Sequence, residues 1–524
     1  MRRTILLDCT LRDGGYINDW NFGESAIKGT IRKLSQTGIG MIEIGFIKGD
    51  KYDPNISIFP DTNSFKNVLI NKDPNVDYVG MIDISDPVSL DKILPYDGKS
   101  IDGIRVIFKK NKIQEGYEYC KALLERGYKV FANFVSTDAY SDKEFIETIE
   151  LFNNIHPTGI TIVDTFGMMK KKMLSRLINI ADNNLDDGIM LCYHAHNNLQ
   201  QAMGNAESMV EMNLHRDIII DACVFGMGRG AGNLNLELFA EFMNENYGTS
   251  YKIEPMLEIM DEYLSDFYRT KFWGYSLPLY LSASFGYHPN YAIYLAEKNT
   301  LPVKSFHDLL LTIPQENKYV FSEEIAEHYY REYFKAYIDD SAVLKQLSNE
   351  FKDKKIIVIA PGKSILDYKD TIQNEISKDG TLVISINFYD KEFQPNYIFS
   401  SNLRRYLEVE NRDRAKLIAT SNISSKVNAD YIINFLSYTG DDKEIFDNAG
   451  LMLLRLLVRL NVKEVMIAGM DGYSDVFGDN FFDSKFEASH LSVANTRNIL
   501  ISSALQSIES NINLTFITPT RYNV

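Results

Sequence analysis

His194-Ala-His196 closes an apolar run, Gly188-Ile-Met-Leu-Cys-Tyr193. In a strand, alternate residues point to the same face, so both imidazoles can aim at one point. At the other end of a barrel-sized stretch of chain, Asp8-Cys-Thr-Leu-Arg-Asp13-Gly-Gly supplies carboxylates and a guanidinium. Two histidines with one distant carboxylate outline a metal site, and Arg12 places a fixed positive charge beside it. The chemistry that follows is a divalent cation and an arginine together holding an enolate. A histidine pair alone on a strand is often incidental, and the paired segments, in order and on strand ends, carry the signal.

Positioning these groups requires strand ends that converge. Short β-rich runs lie at Thr4–Asp8, Met41–Phe46, Tyr78–Met81, Gly103–Ile107, Lys129–Val135, Gly159–Val163, Ile189–Tyr193 and Ile218–Val224. Amphipathic stretches such as Glu24–Thr37 and Ala202–Asn213 separate them. Eight strand–helix repeats match a (β/α)8 TIM barrel, whose chemistry sits at the carboxyl ends of the strands. Glu43, Asn133, Asp164, His194 and the glycine-rich loop after Val224 stand at those ends. The expected organisation is an α/β chain in three parts. Residues 1–240 form the barrel, 241–352 a helical extension rich in Tyr and Phe that packs on it, and 353–524 an open, Rossmann-like α/β domain.

Five motifs then stand in order: Thr10-Leu-Arg-Asp-Gly14, Ile42-Glu-Ile-Gly45, Asp164-Thr-Phe-Gly167, His194-Ala-His-Asn-Asn198 and Gly226-Met-Gly-Arg-Gly-Ala-Gly-Asn233. On these, residues 1 to about 270 resemble the metal-dependent pyruvate aldolase and lyase barrels. That family includes 4-hydroxy-2-oxovalerate aldolase, 3-hydroxy-3-methylglutaryl-CoA lyase and the isopropylmalate and homocitrate synthases, and the motif wording is nearest the first. The resemblance implies Asp13, His194 and His196 as metal ligands, with Asn233 also contacting the metal. It favours Mn²⁺ or Mg²⁺, and Co²⁺ or Zn²⁺ can substitute in such a donor set. Arg12 is expected to stabilise enolate charge, and Glu43 to orient Arg12. Where oxovalerate aldolases carry a catalytic histidine, two positions after Gly14, this chain has Tyr16. A phenol with an ordinary pKa of about 10 is a poor base at neutral pH. The base is therefore Tyr16, a metal-bound water or another residue. The lyase branch has a cysteine in the glycine-rich loop and this chain has none, which disfavours a CoA-thioester lyase. Asp164 either shapes the mouth or caps a helix before Thr165. His288 and Tyr291 are candidates to close the site from the helical extension.

The 524 residues are 45% hydrophobic and 24% charged, ordinary values for a globular chain, with a formal net charge of -16. Such a balance argues against a nucleic-acid or anionic-membrane partner, both of which need clustered positive charge. The four cysteines form no CxxC pair, so neither a zinc knuckle nor a disulfide scaffold is indicated. No apolar run spans a bilayer, and the apolar stretch after Met1-Arg-Arg is too short for a signal peptide. A cytoplasmic enzyme is expected, with a homodimer suggested by resemblance.

In the last domain, Ile356–Ala360 reads as a buried strand leading into Pro361-Gly-Lys-Ser364 and a helix. The loop fails as a Walker A motif because Ile357 stands where the first glycine is required. It remains either a phosphate cradle of backbone N–H groups or an ordinary tight turn. Further strands are expected at Leu382–Ile386, Tyr397–Ser400, Lys416–Thr420, Tyr431–Phe435 and Val465–Ala468. With Ser385-Ile-Asn387 and Gly469-Met-Asp471, this part faintly resembles the nucleotide-sugar-binding domains of sialyltransferase-like and flagellin-modification glycosyltransferases. It implies a nucleotide or nucleotide-sugar ligand.

The leading expectation is an aldolase acting on 4-hydroxy-2-keto acids through a pyruvate-type enolate, with an aldehyde as second partner, in sugar-acid or surface-polysaccharide metabolism. The alternatives are a Claisen-type enzyme condensing an acyl-CoA with a keto acid, and a non-catalytic metal-retaining scaffold or sensor.

Overall fold

The computed structural model describes residues 2–298, 300–301, 303–335, 338–406, 409, 411–486 and 493–523. Two compact units divide the chain, Met1–Pro289 and Asn290–Val524. The helical stretch is shared between them. Helices Leu236–Tyr247, Glu254–Ile259 and Leu277–Phe285 lie in the first unit, whereas Val303–Thr312, Glu323–Tyr333 and Ser341–Phe351 lie in the second.

The first unit is a closed parallel barrel. Its strands are β1 (Thr4–Asp8), β2 (Met41–Ile47), β3 (Asp77–Asp83), β4 (Gly103–Phe108), β5 (Lys129–Phe134), β6 (Gly159–Asp164), β7 (Met190–Ala195) and β8 (Ile218–Ala222). Each pairs in parallel with the next, and β1 pairs with both β8 and β2, closing the ring. The short strand Ile58–Phe59 adds to the rim beside β2. The eight expected strands are all present, the first with the expected bounds and the other seven shifted by one or two residues at one or both ends.

Alternation along these strands sorts the side chains. Leu191 and Tyr193 of β7, Ile42 and Ile44 of β2, and Ile218 and Ile220 of β8 belong to the large core between sheet and helices. The other face points into the barrel, where Leu7, Met41, Val79, Phe131, Cys192 and Ile219 form a separate apolar cluster. Two residues further along the same strands the inward positions become polar: Glu43, Asn133, His194 and Asp221, joined by Arg105 of β4, all buried. The barrel interior thus changes from apolar floor to charged upper layer over one strand repeat. That step follows from the period of two and sets the active end at the carboxyl termini. Outside, Glu24–Ser35 buries Ala26, Ile27, Ile31 and Leu34 at helical spacing. The helix Asp142–Asn153 starts at a capping box between Ser141 and Glu144.

The second unit holds another all-parallel sheet: β9 (Lys355–Ile359), β10 (Thr381–Ile386), β11 (Tyr397–Ser400), β12 (Lys416–Thr420), β13 (Tyr431–Ile433), β14 (Glu464–Ala468) and β15 (Asn513–Phe516). Their order is β13-β12-β11-β10-β9-β14-β15. The chain winds outward from β9 to β13, returns through the helix Ala449–Arg459, and continues on the other side of β9. The winding direction therefore reverses between β9 and β14. Six of these strands were expected. The seventh, β15, was not, because Asn513-Leu-Thr-Phe516 is short and half exposed at the sheet edge. Among the described residues no helix is long and apolar enough to cross a membrane.

Candidate metal centre and active site

Asp13, His194 and His196 are buried together at the barrel mouth, with one potential ligand atom from each lying within 4.8 Å of the others. Asp13 ends the short helical turn Thr10–Asp13 that follows β1, and His194 and His196 leave the end of β7. His194 Nδ1 lies 3.0 Å from Asp221 Oδ2, and its Nε2 lies 3.3 Å from Asp13 Oδ2. Asp221 therefore fixes the ring so that Nε2 faces Asp13 and His196, as an outer carboxylate does for an imidazole that binds a metal. Burial pushes the His196 ring down to about 4, aided by the charges of His194 and Arg229, so it is a neutral donor. Burial alone would raise the Asp13 carboxyl. The neighbouring Arg12 charge and the hydrogen bond from His194 outweigh it and hold the group well below the usual carboxylate range.

The donor set fits a divalent cation on a further observation. Asn233 Nδ2 donates to Asp13 Oδ1 at 3.0 Å and to the Met227 carbonyl at 3.1 Å. Its Oδ1 is buried without a hydrogen-bond partner. A buried carbonyl oxygen left unsatisfied costs about 1–3 kcal/mol unless something accepts its lone pairs. One carboxylate, two imidazoles and an amide oxygen suit the metals expected from the sequence.

Arg12 is locked beside this cluster. Its Nε donates to Glu43 Oε2 at 2.7 Å and its Nη1 to Asp13 Oδ2. Trp20 Nε1 donates to the Arg12 carbonyl at 2.7 Å. The second oxygen of Glu43 lies 3.3 Å from Arg105 Nη1, and Arg105 Nη2 pairs with Asp221. A continuous buried chain of ion pairs thus runs from Arg12 through Glu43, Arg105 and Asp221 to His194. The structure brings together Arg12, Glu43, Asp13, His194 and His196, all expected from the sequence, and adds Arg105 and Asp221, which were not. Their signal was present: a single charge inside the apolar strands Gly103-Ile-Arg-Val-Ile and Ile218-Ile-Ile-Asp-Ala must be paired. Replacing Asp221 with Asn should weaken Mn²⁺ binding about 10–100-fold. Calorimetric titration checks this, and an unchanged affinity would deny Asp221 its orienting part.

The loop Gly226–Asn233 lies directly on the ligands. A Cβ on Gly228 would stand 2.1 Å from Asn233 Nδ2 and 2.9 Å from Asp13 Oδ1, so only glycine allows this approach. Asn198 ties the loop to the histidine segment, accepting from Ala231 N at 2.8 Å and donating to the Phe166 carbonyl at 3.0 Å. Beneath the site, Cys9 and Cys223 place their sulfurs 3.3 Å apart. Burial raises both thiols, which keeps them protonated and outside the ligand set.

The remaining candidates divide. Tyr16 lies at the mouth, edge-on to Trp20 at 4.9 Å and 41% exposed. Crowding of its phenol by neighbours and the Asp13 charge push it up, so it retains its proton at neutral pH. Asp164 accepts from Met168 N at 2.8 Å and Met169 N at 3.0 Å. It shapes the loop after β6 and caps no helix at Thr165, since the next helix starts at Lys171. His288 sits 5.1 Å from the Phe166 ring, at the lip of the mouth. Tyr291 is buried in the second unit, its hydroxyl donating to the Val320 carbonyl at 3.0 Å.

These features can be set beside known proteins. Residues 109–261 match the HMGL-like family model. A 4-hydroxy-2-oxovalerate aldolase from Carboxydothermus hydrogenoformans is 21% identical over 266 residues, 50% of this chain and 77% of the relative. That from Serratia proteamaculans is 25% identical over 267 residues, 49% of this chain and 77% of the relative. Among solved structures, the N-terminal domain of a putative aldolase from Bacteroides vulgatus has a TM-score of 0.46 at 22% identity, covering 60% of this chain and 98% of that one. The HMG-CoA lyase from Brucella melitensis has a TM-score of 0.39 at 15% identity, covering 52% of this chain and 99% of that one.

In the second unit, the turn Pro361–Ser364 is not an open anion cradle. Asp471 already accepts from Ser364 N at 2.7 Å and from its hydroxyl, and Lys363 Nζ donates to Asp479 Oδ1 at 2.9 Å. The loop is therefore a tight turn pinned by the later Gly469-Met-Asp471 motif. Ser385 is turned away, donating to the Phe388 carbonyl at 2.6 Å. Beside the turn, a crevice of about 220 Å³ is lined by Gly362, Asn387, Asn402, Asn448, Gly469 and Arg497. It opens outside the carboxyl ends of β9, β10, β11 and β14.

Proposed function

We propose that the barrel is a divalent-metal-dependent carbon–carbon lyase that cleaves 4-hydroxy-2-keto acids, releasing pyruvate and an aldehyde. The observation that carries this reading is the juxtaposition of Asp13, His194 and His196 with an arginine clamped by Glu43. When bound, the cation supplies Lewis-acid pull on the keto and carboxylate oxygens of a 2-keto acid. The chain's own residues do the rest. Arg12 uses Nε and Nη1 to hold its position, which presents Nη2 to the keto oxygen where negative charge gathers. Glu43 and Arg105 prevent that guanidinium from rotating away. Asn233 steadies the Asp13 carboxylate from below the glycine loop.

Tyr16, with its proton retained, gives a hydrogen bond or a proton and does not act as the base. Tyr16→Phe is expected to lower kcat by about 10–100-fold without removing an acidic limb from the pH–rate profile. A profile that loses such a limb would instead assign Tyr16 the base role.

The assay for the activity itself is pyruvate release from a panel of 4-hydroxy-2-keto acids with Mn²⁺ or Mg²⁺, abolished by chelator and restored by metal. No metal-dependent release across a broad panel, with the metal bound, would refute the aldolase reading. Thiol release from acetyl-CoA in the presence of a keto acid would favour condensation.

For the second unit, the crevice at the reversal between β9 and β14 is the seat we propose for a nucleotide or nucleotide-sugar ligand. Ligands of open parallel sheets collect at such switch points.

A further inference from the structure

Asp19 and Trp20 both take left-handed backbone, with φ of 55° and 59°. Aspartate visits that region readily as a single residue, but two consecutive residues there, the second a bulky tryptophan, are an outlier. Such strain persists only where the surroundings over-determine it, and it collects at functional sites. Trp20 N donates to the Gly15 carbonyl at 2.9 Å, and the Trp20 carbonyl accepts from Ser57 N at 3.0 Å and Phe22 N at 3.1 Å. Asn21 and Ile56 form an antiparallel bridge beside it. A Cβ on Gly15 would stand 2.0 Å from Trp20 Cδ1, so the indole lies directly on the Gly15 backbone.

The left-handed pair turns the indole back onto the catalytic turn Thr10–Asp13. Its Nε1 donates to the Arg12 carbonyl at 2.7 Å, while Ser57 Oγ donates to the Leu11 carbonyl at 2.7 Å. Ser57 thus holds both Trp20 and the turn that Trp20 holds. Phe46 completes the seat. β2 carries a bulge between Glu43 and Gly45, a feature that re-aims the residues around it. The Phe46 ring meets the indole edge-on at 5.5 Å and lies 5.9 Å from Arg12 Cζ. Arg12 is therefore gripped at its head by Glu43 and Asp13, along its side by Phe46 and at its backbone by Trp20.

We propose that Trp20 is a positioning residue for the reaction: its indole fixes the Arg12 backbone, so the guanidinium is already aimed at the keto oxygen before negative charge gathers there. Preorganisation of this kind favours the transition state over the bound substrate. The inference rests on the aldolase reading above, in which Arg12 meets the substrate, and adds to it a residue that acts through Arg12.

The test uses the full chain with Mn²⁺. Trp20→Phe keeps an aromatic ring and removes the Nε1 donor. Benzothienylalanine at position 20, with sulfur in place of Nε1–H, removes the donor without changing shape and serves where the first variant does not fold. For pyruvate release, kcat is expected to fall about three- to tenfold with KM within about twofold, the scale of one hydrogen bond felt in the transition state. In an Arg12→Lys background the same change should cost less than about twofold, because its effect passes through the guanidinium. Equal losses in both backgrounds, a rise in KM with kcat unchanged, or a fall in Mn²⁺ affinity in step with kcat would each overturn the proposal. A second arm needs no turnover. By calorimetry, oxalate, a planar dianion shaped like the enolate of pyruvate, should bind the variant about three- to tenfold more weakly than the native chain, and pyruvate less than about twofold more weakly. A native chain that releases no pyruvate, with this selective loss in the variant, would reject the aldolase reading and leave the positioning role standing. Pyruvate release indifferent to the loss of the Trp20 donor would do the reverse.

Discussion

Asp13→Asn should abolish tight Mn²⁺ retention and lower metal-dependent turnover by at least about 10³-fold, with the fold intact. Loss of a metal-anchored Lewis acid removes several kcal/mol of charge stabilisation, and each 1.4 kcal/mol is about tenfold in rate. The carboxylate is the only anionic group in the donor set, and Arg12 with the His194 hydrogen bond holds it ionised. Asparagine preserves volume and can still meet Asn233, while Arg12 keeps its bond to Glu43 at 2.7 Å. The variant should therefore unfold within about 10 °C of the native chain, a shift worth a few kcal/mol at this size. Equilibrium dialysis with Mn²⁺, circular dichroism and the pyruvate assay together check the result. Undiminished turnover in a folded Asp13→Asn protein would contradict the ligand role of Asp13, whereas absent turnover in the native chain with its biological activity intact in the variant would favour the scaffold or sensor alternative.

Arg12→Lys should separate binding from chemistry. A lysine ammonium keeps the charge but cannot bridge Glu43 and Asp13 while pointing a third nitrogen at the substrate. Mn²⁺ stoichiometry is expected to stay at the native value, whereas kcat falls by about 10²–10³, the loss typical of one oxyanion donor. The measurement is kcat and KM at saturating Mn²⁺ beside a metal titration of the same preparation. A rise in KM with kcat unchanged would show that Arg12 contributes only ground-state binding.

Much of this site was legible from the residues because its ligands lie at strand ends in short ordered motifs. The pair His194 and His196 shares a face by strand period, and Asp13 and Arg12 follow β1 immediately. Glu43 reads correctly as the partner of Arg12 for the same reason. The supporting layer was harder to see. Arg105 and Asp221 sit mid-strand, 116 residues apart in sequence, and only closure of the barrel makes them neighbours. Asp164 was open to two readings, shaping the mouth or capping a helix, and the structure takes the first: it folds the loop after β6 back on itself. Tyr291 could not be separated from His288 in a shared motif, because which side of Pro289 joins the barrel is decided by packing. In the second unit the strand rhythm is clear in the residues, but Pro361–Ser364 reads equally as a phosphate cradle or a tight turn, and only the bond from Ser364 to Asp471, 107 residues away, decides for the turn. Local spacing announces turns and faces, and long-range pairing decides whether their donors are already satisfied.

The most direct test of the metal centre is anomalous diffraction at the manganese edge from crystals of the full chain soaked in Mn²⁺. One strong peak is expected within coordination distance of an Asp13 carboxylate oxygen, His194 Nε2 and a His196 ring nitrogen, with Asn233 Oδ1 turned toward it. A mouth without a peak at saturating Mn²⁺, or a peak away from those four side chains, would contradict the metal-dependent lyase.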